Sequence, residues 1–140
     1  MQRTAKAVWE GSLKEGHGKI SSQSKVLADT PYSFATRFEN QPGTNPEELI
    51  AAAHAGCFTM ALSAQLAGKK ITANRLETTA TATLEQVAGN WTISKIHLDL
   101  TAQIPGISKA DFDSLATAAK EGCPVSRLFK AEITLDAKLS

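Results

Sequence analysis

The chain carries almost no net charge. Fifteen lysines and arginines against fourteen aspartates and glutamates leave a formal +1 over 140 residues. No basic run stands out, which argues against nucleic acid as the main partner. Cysteine is scarce: Cys57 and Cys123 are the only two. In the absence of a secretory signal they read as a cytoplasmic thiol pair, not as a structural disulfide framework. The opening residues Met1-Gln2-Arg3-Thr4-Ala5-Lys6 lack the apolar run of such a signal, so a cytoplasmic location is expected. Only one stretch, Leu49 to Ala67, is both long and poor in charge. It is rich in alanine and carries His54, Thr59, Ser63 and Gln65, so it is read as a buried helix and not as a membrane span. No repeat, low-complexity tract or long linker interrupts the chain, and a single domain over residues 1–140 is expected.

What is present is a soluble, globular composition, 42% apolar and 21% charged. Ala5, Ala7 and Trp9 alternate with Lys6, Val8 and Glu10, a strand pattern, and Lys19 to Ser22 returns as a second strand after a glycine turn. Tyr32, Phe34, Thr36 and Phe38 alternate with Ser33, Ala35, Arg37 and Glu39, which predicts a strand with Arg37 opposite the aromatic face. Asn45, Pro46, Glu47 and Glu48 then form a strong helix start: a cap, a proline suited to the first turn, and two carboxylates at the positive end of the dipole. The helix is predicted to run to about Ala67. Across Leu49 to Leu62 it has no wide polar face, so it should be buried all round. At ~1.5 Å per residue it is roughly 28 Å long, more than one small chain can wrap. A second copy covering its open side predicts a homodimer.

Leu76–Val87 and Trp91–Ile104 read as paired strands around Ala88-Gly89-Asn90. Ser108 opens an amphipathic helix on the stripe Phe112, Leu115, Ala116 and Ala119, and Ile133 to Leu139 closes the chain as a strand. The order implies an α+β fold with largely antiparallel sheets packed around the long central helix.

Few residues can carry chemistry. Cys57 lies within the helix in His54-Ala55-Gly56-Cys57-Phe58, where a free cysteine can serve merely as a small apolar packing group. Cys123 follows a helix stop and precedes Pro124, a setting that favours a thiolate if a new helix begins there. A thiol becomes a good nucleophile beside a cation, and Arg37 is the candidate, though it also fits a solvated strand position. Glu47 and Glu48 are ordinary first-turn carboxylates by default. Glu48 is nine residues from Cys57, roughly 180° around the helix, whereas Glu47 is ten residues away and only ~80° off, so Glu47 is the better placed. His54, three residues before Cys57, leaves open a Cys–His hydrolase or acyl transferase. A metal site on His54, Cys57 and Cys123 is disfavoured by the absence of a close ligand pair.

Thr44-Asn45-Pro46-Glu47-Glu48-Leu49, running into Ala52-Ala53-His54-Ala55-Gly56-Cys57-Phe58, closely resembles the first cysteine motif of the osmotically inducible protein C (OsmC/Ohr) family, and Gly122-Cys123-Pro124-Val125-Ser126 resembles the second. Trp9-Glu10-Gly11, Thr36-Arg37-Phe38-Glu39 and Lys130-Ala131-Glu132-Ile133-Thr134-Leu135 also fit, so the resemblance spans essentially the whole chain. Val125, and an arginine on the later strand, look like the OsmC branch. The resemblance implies an intertwined α+β homodimer with active sites at its interface and a thiol peroxidase acting on organic hydroperoxides. It assigns the peroxidatic role to Cys57, the resolving role to Cys123, the active-site arginine to Arg37 and its paired carboxylate to Glu47. It further implies no metal, haem or flavin, and recycling by a dithiol or a lipoylated protein.

Overall fold

The computed structural model describes all residues from Met1 to Ser140. Ten elements follow one another: β1 (Ala5–Glu10), β2 (His17–Ser22), β3 (Thr30–Tyr32), α1 (Phe34–Phe38), α2 (Pro46–Gly68), β4 (Arg75–Val87), β5 (Asn90–Gln103), α3 (Lys109–Gly122), α4 (Pro124–Leu128) and β6 (Glu132–Leu139). The fold is α+β, as the pattern of the sequence predicts. The chain forms two compact units, Met1–Leu49 and Ile50–Ser140.

In the first unit β1, β2 and β3 form an antiparallel sheet in that order. Gly18 of β2 pairs with Trp9 on one side and Tyr32 on the other. A Cβ there would stand 2.3 Å from the Tyr32 ring and 2.9 Å from Trp9. The missing side chain lets the two rings close across the middle strand, with centroids 5.4 Å apart.

The predicted strand through Phe38 does not form. The strand β3 ends at Tyr32, and Ser33 caps a short helix instead. The Thr36 N–H donates to Ser33 Oγ at 3.1 Å, and the Ser33 N–H donates to Thr36 Oγ1 at 2.9 Å. This reciprocal cap satisfies two donors that a strand would have needed a neighbour to satisfy. Phe34 and Phe38, same-face residues in a strand, are also one helical turn apart, and their rings pack at 4.9 Å. Arg37 therefore sits in the last turn of α1, not on a strand.

In the second unit β4 and β5 form a long antiparallel hairpin. Its turn has positive φ at both Ala88 (49°) and Gly89 (82°), the twist that matches paired strands. The closing strand β6 runs parallel to β5, because α3 and α4 carry the chain back across the sheet before it begins. The sheet order is β4-β5-β6. From β5, Ile96, Leu98, Leu100 and Ala102 enter the core. They meet Phe58, Leu62 and Leu66 of α2 and the predicted Phe112, Leu115, Ala116 and Ala119 stripe of α3 in one cluster.

The helix α2 is not buried all round within one chain. Only the four-residue-spaced stripe His54, Phe58, Leu62 and Leu66 is buried, while Met60 stays 68% exposed. One sheet and one helix cover one face of a cylinder and no more. The opposite side, with Ala55, Gly56, Thr59, Met60 and Ser63, borders an open groove of about 620 Å³ shared with Ile71 and Leu76. By length and composition α2 could cross a membrane. A core helix passes that same test, and this one lends Phe58, Leu62 and Leu66 to the core of the second unit.

Candidate active site

The two cysteines, sixty-six residues apart in the chain, place their sulfurs 2.9 Å apart. Both are free thiols. Cys57 projects from the middle of α2 beside the buried stripe and is partly accessible; Cys123 is fully buried. Cys123 ends α3 and starts α4 at once. Its N–H donates to Ala119 O at 2.9 Å, closing the first helix, and its carbonyl accepts from the Arg127 N–H at 3.0 Å, opening the second. Pro124, which has no N–H to leave unsatisfied, occupies the first position of α4.

The thiols are electrostatically unequal. Burial pushes Cys57 up, contact with the Cys123 thiol pushes it further, and only the Val125 N–H acts in the other direction. Burial also pushes Cys123 up, but the Cys57 thiol, the Ser126 N–H and hydroxyl, and the Val125 N–H outweigh it and bring Cys123 below the ordinary thiol range. None of these groups closes a side-chain capping hydrogen bond on Cys123. They act together as dipoles aimed at its sulfur. Within the second unit, then, the surrounding groups favour the thiolate form of Cys123 and disfavour that of Cys57.

His54 is fully buried one turn before Cys57. Its Nε2 lies 2.7 Å from Ser126 Oγ, its ring packs 5.8 Å from that of Phe129, and it makes no hydrogen bond to Cys57. Nδ1 is buried without a partner. Burial lowers the His54 pKa, so the ring is neutral. Ser126 had no role in the sequence reading beyond its place in the second motif. A signal was available: the third residue after a helix cap turns its N–H and side chain back toward that cap, and Cys123 is the cap.

In the first unit the structure joins Arg37 to Glu47. Arg37 Nη2 donates to Glu47 Oε1 at 2.7 Å, and Nε donates to both carboxylate oxygens at 3.2 and 3.3 Å. Glu47 is thus the partner that the helical angles favoured over Glu48, whose N–H is instead bound by the capping side chain of Asn45. The guanidinium lies 5.1 Å from the Phe38 ring centroid and borders an aromatic hollow of about 270 Å³ with Trp9, Tyr32, Phe34 and Phe38. A fork held on two nitrogens and a ring leaves Nη1 to meet another anion.

Comparison with known proteins agrees with these motifs. Residues 38–138 match the family model described as OsmC-like protein. Over 139 residues, covering 99% of this chain and 97% of the relative, the sequence is 48% identical to peroxiredoxin OsmC of Escherichia coli (strain K12). It is 30% identical over 99 residues, 70% of this chain and 68% of the relative, to an organic hydroperoxide resistance protein of Xanthomonas axonopodis pv. citri. Among solved structures, the organic hydroperoxide resistance protein OhrB of Bacillus subtilis superposes with a TM-score of 0.69 at 28% identity, covering 98% of each chain. An OsmC-like protein of unknown function from Vibrio cholerae shares the fold at a TM-score of 0.78 and 15% identity, covering 99% of each.

Proposed function

The chain belongs to the OsmC-like protein family, and on that premise we propose that it is a thiol-dependent peroxidase that reduces organic hydroperoxides, with Cys57 as attacking and Cys123 as resolving thiol. The observation that carries this reading is the pair of free sulfurs in contact at 2.9 Å, one accessible and one sealed. Only the accessible thiol can meet a peroxide. The sealed one is positioned to react with whatever forms on the first. The names of the Escherichia coli and Xanthomonas relatives point to the same chemistry.

The Cys57 thiolate attacks the terminal oxygen of the hydroperoxide. The O–O bond breaks, the alkoxide leaves and takes a proton from solvent, and Cys57 becomes a sulfenic acid. Cys123 then attacks that sulfur. The S–S bond forms, and the departing hydroxide takes the Cys123 proton and leaves as water. An external dithiol or lipoylated protein reopens the disulfide by two exchanges. Because the groups of the second unit disfavour a Cys57 thiolate, the first step calls for a cation that stabilises it. Arg37, oriented by Glu47, is assigned that role, acting from its own chain or from a partner chain, and it also offsets charge on the leaving oxygen.

The remaining assignments follow from this reading. The chain works as one OsmC-like domain over residues 1–140, in a homodimer whose second copy covers the open side of α2, in the cytoplasm, without a cofactor. The hydrolase alternative loses its support because the His54 nitrogen nearest a partner is engaged by Ser126 and not by Cys57. The test is to mix reduced protein with equimolar cumene hydroperoxide and to count thiols afterwards. Fast consumption with loss of both thiols is expected. Cys57→Ser should abolish it, and Cys123→Ser should leave a trappable sulfenic acid. Consumption no faster than that of a free thiol rejects the reading.

A further inference from the structure

Two polar residues beside the thiol pair have no part in the mechanism above, His54 and Ser126. We infer that they form a hydrogen-bond relay that holds Cys123 as a nucleophile for the sulfenic acid, with His54 the anchor and Ser126 the group that faces the sulfur. The inference rests on the peroxidase reading for its purpose, though not for its geometry.

The direction of the relay follows from the orphaned ring nitrogen. A neutral imidazole carries one N–H and one lone pair. If His54 Nε2 accepted from Ser126, the proton would sit on Nδ1, leaving a buried N–H with no acceptor. If Nε2 carries the proton, Nδ1 is left as a buried lone pair. Orphaned buried donors are rarer than under-satisfied acceptors, so the proton belongs on Nε2. The Nε2–H then donates to Ser126 Oγ across 2.7 Å. That turns the Ser126 hydroxyl hydrogen away from His54, and Ser126 is the third residue of the helix that Cys123 caps, where its hydroxyl bears on the Cys123 sulfur. Burial keeps the imidazole neutral, so it does not act as a base. It is a fixed donor, and Ser126 relays its dipole to Cys123. His54 and Ser126 are positioning residues, and the reacting atoms remain the two sulfurs.

The relay has opposite consequences for the two steps. It favours charge on Cys123, which competes with Cys57 for the single negative charge of the pair before peroxide arrives. Afterwards it favours the form of Cys123 that attacks. Weakening it should leave sulfenic acid formation no slower and disulfide closure slower. A general loosening of the site would slow both.

The test has two arms. In the first, Cys123 is titrated by thiolate ultraviolet absorbance in a Cys57→Ser background, which needs no peroxide. Adding Ser126→Ala should cut the Cys123 thiolate fraction about tenfold at a given pH below its midpoint, the size of one lost hydrogen bond to a charged sulfur. Ser126→Thr, which keeps the hydroxyl, should restore most of it. His54→Leu should act like Ser126→Ala, and His54→Gln, which can still donate, should fall between. In the second arm, with both cysteines present, single-turnover mixing with peroxide follows sulfenic acid by trapping. The Ser126→Ala protein should form it at least as fast as wild type and hold it about tenfold longer, in line with the lost thiolate fraction. An unchanged Cys123 titration in Ser126→Ala overturns the relay, whatever peroxide does. A shifted titration in a protein that consumes no peroxide leaves the relay standing and removes the peroxidase reading.

Discussion

Replacing Glu47 with glutamine separates what the Arg37–Glu47 pair does for folding from what it does for chemistry. The Arg37 side chain is 37% exposed and that of Glu47 12%. A pair this open is worth only about 0–1 kcal/mol to stability, because water can solvate the freed guanidinium. Its geometric content is larger. The carboxylate receives both Nε and Nη2 of the arginine, with the shortest contact at 2.7 Å. A carboxamide offers one oxygen in place of two and turns an N–H₂ toward a cation. The fork loses its second hold, and Nη1 is no longer aimed. Misplacement of a catalytic group by about 1 Å costs on the order of a hundredfold, so kcat/KM for an organic hydroperoxide should fall about 10- to 100-fold. Stopped-flow peroxide consumption and urea unfolding on the same preparation measure both quantities. A wild-type rate in the Glu47→Gln protein would refute the orienting role. A rate loss accompanied by about 3 kcal/mol or more of lost stability would refute the claim that the pair serves chemistry and not the fold.

Two further outcomes follow from the core and from its one buried titratable ring. Phe112→Ala empties a fully buried site facing the sheet in the second unit and should cost about 3–5 kcal/mol, read as a lowered urea midpoint with an unchanged slope. His54 has a pKa depressed by burial in the folded state from an ordinary value of 6.5. Below pH 6.5 the unfolded chain binds a proton there that the folded chain does not, so stability is complete above that pH and falls as pH drops toward the folded pKa. His54→Gln should remove that part of the acid sensitivity, and urea midpoints measured at neutral and mildly acid pH compare the two proteins. An identical acid slope in both would mean that His54 titrates normally.

Much of the fold was legible because it rests on local rules. The α2 start at Pro46, the Ser108 cap, the Phe112 stripe and the alternation of β5 each need only a few neighbouring residues, and each appears where the pattern put it. The segment from Tyr32 to Phe38 misled because aromatic residues at positions 34 and 38 satisfy a two-residue and a four-residue period equally. The Ser33–Thr36 cap broke the tie in favour of a helix. The parallel pairing of β6 was not legible, since nothing in Glu132–Leu139 says which neighbour it will meet or in which direction.

For the site, the sequence by itself determined the chemistry available: two thiols in motif settings, an arginine with a carboxylate at the helical angle that suits it, and a histidine one turn from a cysteine. Those follow from residue type and spacing, which folding does not alter. Only the tertiary structure decided that the sulfurs touch, that Cys123 is sealed while Cys57 is open, and that His54 turns to Ser126 instead of to the nearby thiol. The α4 turn, brought against α2, supplies the N–H groups and the hydroxyl that favour the thiolate form of Cys123 over that of Cys57, two chemically identical side chains. Contacts between residues sixty-six or more positions apart depend on how layers stack, and no local pattern encodes that.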